Sequence, residues 1–166
     1  MRLFFCLCLI VASPVAATAQ IPDELMIDGK RELLHTLPLT GELSDKYREQ
    51  VLRKYSSEGR CTASWRGYVA TWELKSNRLQ LRSVHANPCS SQPVEIPLGE
   101  LFPDRTKPIV ATWFTGTLVL PRGKLKKYVH IGFESTFERY LILDVRAGKV
   151  LSRKLTNKKP VNEAAN

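Results

Sequence analysis

Residues 128–140 hold the densest group of side chains that could carry acid–base or nucleophilic chemistry. Four candidate catalytic residues lie within nine positions: His130, Glu134, Ser135 and Glu138. A histidine can act as a base near neutral pH, a carboxylate can orient it, and a serine can be the nucleophile. The alternative, which we favour, places His130 on a strand face and makes residues 134–138 a polar surface loop.

No established catalytic or metal-binding motif accompanies this segment. The chain lacks a G-x-S-x-G elbow, a P-loop, an H-E-x-x-H helix and a Gly-rich nucleotide fingerprint. His35, His85 and His130 are scattered, so a shared metal site would require a long-range coincidence. We therefore expect no metal and no cofactor.

A second candidate site serves binding rather than catalysis. The run C-T-A-S-W-R-G-Y contains Trp65, Arg66 and Tyr68. Aromatic faces stack on sugar rings and arginine pairs with acidic groups, so these three side chains could form a contact platform. The alternative is that the tryptophans belong to the core. Strand alternation places Trp72 on the face of Tyr68, so at least one of them points inward, and Trp65 is the better candidate for exposure.

A third feature is a cluster of positive charge. Four cations lie within six positions: Arg122, Lys124, Lys126 and Lys127. The whole chain carries a formal net charge of +9. A basic surface favours anionic partners such as lipid headgroups, cell-wall polymers and acidic proteins. The alternative is a solvated face that only aids solubility.

The first nineteen residues match a secretory signal peptide. Arg2 gives a positive start, residues 3–12 are apolar, and A-T-A at residues 17–19 is a small-x-small cleavage motif. The apolar run is shorter than the ~20 residues of a membrane span, which disfavours a membrane anchor. A lipoprotein signal would need a cysteine where Gln20 stands. We therefore expect cleavage after Ala19 and a periplasmic or secreted chain without a transmembrane anchor.

Export also decides how the cysteines are interpreted. Cys6 and Cys8 leave with the signal peptide, so Cys61 and Cys89 can form only one intramolecular disulfide. This bond would close a loop of roughly 30 residues and contribute on the order of 3 kcal/mol. Export lowers the expectation of nucleic-acid binding despite the basic charge. We expect the partner to be a protein or an anionic envelope polymer.

The elements that must position these residues are mostly strands. Asp-Gly at 28–29, Ser-Asn at 76–77 and Ala-Gly at 147–148 predict tight turns between strand-like runs. Apolar spacing predicts a helix over residues 45–55, capped by Ser44. We further predict a helical turn near residues 98–102 and a strand over 126–131.

Residues 109–120 are predicted to form another hairpin. A strand over 109–114 would turn at Thr115-Gly116 into a partner strand over 117–120, which Pro121 and Gly123 would end.

This order predicts an α+β, mostly-β fold. A curved antiparallel sheet of hairpins, either open or forming a half-open barrel, would carry one packed amphipathic helix. The organisation is a signal peptide over residues 1–19, one globular domain over 20–155 and a flexible C-terminal tail over 156–166.

Several stretches resemble the signature of an uncharacterised bacterial protein family. They include W-R-G-Y-V-A-T-W-E at residues 65–73, N-R-L-Q-L at 77–81 and W-F-T-G-T-L at 113–118. The later runs G-K-L, Y-V-H and E-R-Y-L-I-L fit the same pattern, which covers roughly residues 24–155. The resemblance implies a single domain of bacterial origin. No activity is attached to the family, so the resemblance assigns no residue a role.

The leading hypothesis is a non-enzymatic exported binding protein of the cell envelope, such as an inhibitor or an immunity-type protein. The contact candidates are the basic cluster and the residues around Trp65. One alternative is a small cell-envelope hydrolase that uses His130 with Glu134 and Glu138. Another is a module that binds an anionic surface or a polysaccharide.

Overall fold

The computed structural model describes residues 18–56 and 61–160. Most of the proposed signal peptide, residues 1–17, lies outside these ranges, as does the end of the tail, residues 161–166. The strands and helices follow one another as β1 Asp23–Ile27, β2 Lys30–Leu34, α1 Asp45–Tyr55, β3 Tyr68–Lys75, β4 Arg78–Ala86, β5 Val94–Ile96, α2 Leu98–Leu101, β6 Ile109–Val110, β7 Gly116–Lys127, β8 Thr136–Arg146 and β9 Lys149–Thr156.

The strands form one mixed sheet, in the order β2-β1-β3-β4-β9-β8-β7. Strands β5 and β6 also pair with β4. The sheet is not closed into a barrel, although a backbone hydrogen bond from His35 N to Val119 O, 2.9 Å long, brings the end of β2 beside β7. The mostly-β, α+β class is therefore confirmed.

One pair of strands differs from the expected antiparallel pattern. Strands β1 and β3 are parallel, with Glu24 opposite Thr71 and Met26 opposite Glu73. The long connection from β2 to β3 contains α1, and a connection of this length is what a parallel neighbour requires.

The predicted tight turns are confirmed. Strands β1 and β2 pair directly, as do β3 with β4 and β8 with β9. Both central residues of each turn have positive φ: Asp28 and Gly29, Ser76 and Asn77, Ala147 and Gly148. Local turn chemistry therefore determines these three hairpins.

The prediction for residues 109–120 is wrong. Strand β6 has only two residues and pairs with β4, whereas β7 pairs with β8. Strand β7 also continues past Pro121 and Gly123 to Lys127. Its register shifts after Arg122, and a bulge of this kind accommodates residues that would otherwise end a strand.

The helix and the disulfide lie where the sequence places them. The Ser44 side chain accepts a hydrogen bond from Tyr47 N, and Val51 and Leu52 of α1 are buried in the core. Cys61, before β3, is bonded to Cys89, after β4. The bond therefore connects the two ends of the β3–β4 hairpin. No helix within the described ranges combines the length and apolarity needed to cross a membrane.

Candidate functional site

The far end of the β7–β8 hairpin carries the densest positive charge among the predicted contact residues. We call residues 123–136 the arm. Lys124, Lys126 and Lys127 are all exposed. Within the described part of the chain, none of the three has an ion-pair partner. The arm therefore presents to solvent three positive charges that no carboxylate among the described residues compensates in an ion pair.

Two bulges and one glycine set the direction of the arm. The register of β7 against β8 shifts between Arg122 and Leu125 and again before Lys127. Gly123 has φ of +78°, and the Glu138 carboxylate accepts a hydrogen bond of 3.0 Å from Lys124 N. This positive φ favours glycine at the bend, and a Cβ at position 123 would also displace the Glu138 carboxylate.

Large apolar side chains are interleaved with the lysines. Leu125 is 50% exposed, Tyr128 57% and Ile131 55%. Sequence reasoning missed this exposure because it assigned residues 126–131 to an ordinary strand. The available signal was the run K-L-K-K-Y-V-H-I, in which basic residues are interleaved with large apolar residues.

His130 lies on the arm but does not contact the other catalytic candidates. Its Nδ1 is 2.7 Å from the hydroxyl of Tyr128. Among the described residues it forms no hydrogen bond to Glu134, Ser135 or Glu138. An orienting carboxylate for this histidine is therefore missing from the described arrangement.

The other three candidates have structural partners. The Ser135 hydroxyl accepts from Val129 N at 3.0 Å and donates to Val129 O at 3.3 Å, which closes the loop of the arm. Glu134 pairs with Lys159 at 2.8 Å, so residues just beyond β9 contact the arm. The Glu138 carboxylate accepts from Lys124 N, at the bulge between Arg122 and Leu125 of β7. The arrangement can stabilise a loop, but it does not assemble a nucleophile with a base.

The predicted platform around Trp65 is divided between surface and interior. Trp65 is 67% exposed, whereas Arg66 is 6% and Tyr68 2% exposed. The expectations that Trp65 is exposed and that at least one of Tyr68 and Trp72 points inward are confirmed, and in fact both of these are buried. Arg66 and Tyr68 are too deeply buried to form a contact surface in this conformation.

Arg66 instead belongs to a buried polar cluster that sequence reasoning missed. Its Nη2 donates to Asp23 Oδ1 at 3.0 Å and to Ile21 O at 2.9 Å. Its guanidinium also lies 5.5 Å from the centroid of the Tyr68 ring. An aspartate at the start of a short strand gives no sequence signal that it will meet an arginine 43 positions later.

Asp23 is completely buried and has three donors. Besides Arg66, it accepts from Ala70 N at 3.1 Å and from the indole Nε1 of Trp72 at 3.0 Å. Burial raises the pKa of its carboxyl, and the charge of Arg66 together with these hydrogen bonds opposes that shift. The cluster fixes β1 beside β3.

Arg122 differs from the other members of the basic cluster. It is ion-paired with Glu32 of β2 through two hydrogen bonds, one of them 2.8 Å from Nε to Oε2. The hydrogen bonds to Glu32 raise the pKa of Arg122. Arg122 therefore connects β7 to β2. Because Glu32 compensates its charge, Arg122 adds little to the positive charge of the surface.

A groove of about 450 Å³ lies on another part of the surface, beside β4, α2 and β6. Its buried lining residues are Leu81, Leu98 and Ile109. Arg82 and Lys107 line it from the exposed side, and Arg82 is paired with Glu73 at 3.2 Å. Of the two cations, only Lys107 has no ion pair with a described residue.

Within the described ranges, no three histidine, cysteine, aspartate or glutamate side chains are grouped so that they could hold a metal ion. Comparisons with protein-family models, curated proteins and solved structures found no match. The resemblance to an uncharacterised bacterial family stays a prediction. The function must therefore be argued from the residues themselves.

Proposed function

We propose that this protein is an exported, non-enzymatic binding protein that contacts an anionic component of the cell envelope, either a macromolecule or a lipid surface, through the arm. The observation that supports this proposal is a set of three exposed lysines that form no ion pair with a described residue, Lys124, Lys126 and Lys127. Three positive charges on one short segment attract an anionic surface more strongly than the same charges dispersed over the molecule.

Part of the positive charge outside the arm is compensated by ion pairs within the protein. Arg31 pairs with Glu24, Arg122 with Glu32, and Arg153 with Asp28. These pairs connect parts of the protein to one another, so their charges are partly compensated. The lysines of the arm form no such pair within residues 18–56 and 61–160.

Two features support export. The N-terminal sequence has the order of a signal peptide, and a disulfide is typical of an oxidising compartment. Gln20, the expected first residue of the mature chain, packs against the rest of the domain. Its backbone N donates to Gly132 O at 3.1 Å, and its side chain donates to Thr62 O at 2.9 Å. An N-terminal ammonium group at Gln20 could make the same bond to Gly132.

The hydrolase alternative has less support. It requires His130 to act with Glu134 or Glu138, and these residues have separate partners in the described structure. The finer assignment of an inhibitor or an immunity-type protein would make the anionic macromolecule an acidic protein.

The test is binding of the mature chain, residues 20–166, to immobilised heparin and to immobilised polyglutamate across a salt gradient. We expect the variant Lys124→Glu/Lys126→Glu/Lys127→Glu to bind both at least about tenfold more weakly, with a shallower salt dependence.

The matched control is Lys30→Glu/Lys75→Glu/Lys149→Glu, which reverses three exposed lysines outside the arm. It makes the same change in net charge. If both variants lost affinity equally, only the overall charge would matter and the arm would not be the contact surface. Unchanged affinity of the arm variant would also overturn the proposal.

A further inference from the structure

The apolar side chains of the arm indicate what kind of anionic partner fits it. Leu125, Tyr128 and Ile131 each expose half or more of their surface and lie within seven positions. Other large exposed apolar residues occur singly or in a pair: Leu33, Trp65 and Val94 lie on separate segments, and Leu151 and Leu155 share β9. Isolated exposed apolar residues are normal, whereas a cluster of them marks an interaction site.

We propose that the arm binds an anionic lipid bilayer and inserts Leu125, Tyr128 and Ile131 at the level of the headgroups. This inference rests on the proposed function and specifies its partner. A purely electrostatic partner such as an acidic polymer uses the lysines but leaves the three apolar side chains in water. A bilayer interface uses both kinds of side chain, because apolar groups enter it while lysines contact the phosphates.

The side chain of Tyr128 is suited to the level of the lipid headgroups. Tyrosine is enriched at membrane–water interfaces, where its ring is partly buried and its hydroxyl remains in a polar layer. The ring of Tyr128 is exposed, and its hydroxyl contacts Nδ1 of His130, which is also exposed.

The charge of the arm is compatible with anionic lipid. Glu134 is its single carboxylate, and this group pairs with Lys159. Lys124, Lys126 and Lys127 are therefore not opposed by a free negative charge on the same segment. Anionic headgroups can approach the arm without repulsion from Glu134.

Several polar backbone groups of the arm already have hydrogen-bond partners. Val129 uses both its N–H and its carbonyl to bond the Ser135 hydroxyl. The carbonyl of Gly132 accepts from Gln20 N, and Glu134 N donates to Ile131 O. Backbone groups that already have hydrogen-bond partners lower the free-energy cost of moving a loop from water to the membrane interface.

The experiment is cosedimentation of the mature chain with vesicles of phosphatidylglycerol and phosphatidylethanolamine, compared with vesicles of phosphatidylcholine alone. We expect binding to the anionic vesicles only. The variant Leu125→Ser/Tyr128→Ser/Ile131→Ser should bind them at least about tenfold more weakly. The control Leu33→Ser/Leu151→Ser/Leu155→Ser removes comparable exposed side chains elsewhere and should bind like the wild type.

Insertion has its own measurement. The substitution Ile131→Trp places a fluorophore on the arm, and vesicles with brominated acyl chains quench an indole that enters the bilayer. We expect stronger quenching for this variant than for the wild type. Binding to vesicles without additional quenching, or with no loss in the serine variant, would overturn insertion.

The two proposals can fail separately. If the mature chain binds heparin or polyglutamate through the arm lysines but ignores anionic vesicles, the bilayer is excluded and the proposed function stands with a polymer or an acidic protein as partner. If it binds neither the polymers nor the vesicles, both proposals are overturned.

Discussion

Arg66 donates from Nη2 to Oδ1 of Asp23 over 3.0 Å, and both side chains are removed from solvent. The same carboxylate accepts from Ala70 N and from the indole of Trp72. One aspartate at the start of β1 therefore binds both the segment that precedes β3 and β3 itself. This link explains how a five-residue strand is held parallel to β3 by distant parts of the chain.

Breaking this pair should strongly destabilise the fold. Asp23→Ala leaves the Arg66 cation buried without its anion, and Arg66→Met leaves the carboxylate without its cation. A buried charge that has lost its partner costs about 3–5 kcal/mol of the free energy of unfolding. Urea denaturation of the two variants measures this loss.

The double variant Asp23→Leu/Arg66→Met is the control for that experiment. It removes both charges at once, so it should cost clearly less than the sum of the single variants. Small, additive effects of the single variants would show that the pair does not determine stability. Binding by any variant that remains folded should be unaffected, because Arg66 is not part of the arm.

The ion pair between Arg122 and Glu32 should contribute to stability rather than to binding. It is partly exposed, so Arg122→Met should lower the free energy of unfolding by only about 1 kcal/mol. The exchange Glu32→Arg/Arg122→Glu restores opposite charges and should recover part of that loss. A large effect of Arg122→Met on heparin binding, with unchanged stability, would return Arg122 to the contact surface.

Local patterns in the sequence were sufficient for much of the fold. The turns at Asp28-Gly29 and Ala147-Gly148 and the cap at Ser44 depend on neighbouring residues, so their chemistry can be recognised without knowing the tertiary structure. Cys61 and Cys89 allowed one intramolecular pairing once export was assumed, and the structure has that disulfide.

Features that depend on distant contacts could not be predicted. Strand β7 passes Pro121 because β8 provides a bulged partner for it, and Gly123 bends it against Glu138. Asp23 meets Arg66 only after β1 has paired with β3. The basic cluster was visible in the sequence. That Arg122 forms an ion pair, whereas the three lysines form none with a described residue, could be recognised only from the position of Glu32.

Gly148, in the turn between β8 and β9, can be compared with Gly29, in the turn between β1 and β2. Gly148 and Gly29 have nearly the same φ, +72° and +73°. A Cβ at Gly29 would meet nothing within 4 Å, whereas one at Gly148 would lie 2.7 Å from the carbonyl oxygen of Ala111. Both Gly→Ala variants incur the left-handed backbone cost of about 1 kcal/mol.

The collision with Ala111 should add roughly 1–3 kcal/mol to the cost of Gly148→Ala, because backbone atoms must move. The difference between the two thermal or urea unfolding curves measures the close packing of this turn against the segment after β6. Equal losses for Gly29→Ala and Gly148→Ala would show that this packing is unimportant.

The stability of the protein should decrease on the acid side of neutrality because of His35. This side chain is half-buried, stacks on Phe133 with ring centroids 4.8 Å apart, and meets the edge of Phe137. Burial, and to a smaller extent the charge of Lys159, lower the pKa of His35 to about 4. The folded protein therefore binds fewer protons at this site than the unfolded chain between pH 6.5 and about 4.

The sign of this effect follows from proton linkage. The stability contributed by neutral His35 is fully present above the unfolded pKa near 6.5, and it is lost progressively as the pH falls to about 4. The loss should approach about 3 kcal/mol. Urea denaturation at several pH values between 7.5 and 4 measures it. His35→Phe keeps an aromatic ring beside Phe133 but has no proton to bind, so its stability should fall less over this range. Parallel pH profiles for the wild type and His35→Phe would contradict the assignment, because carboxylates elsewhere would then account for the whole decrease.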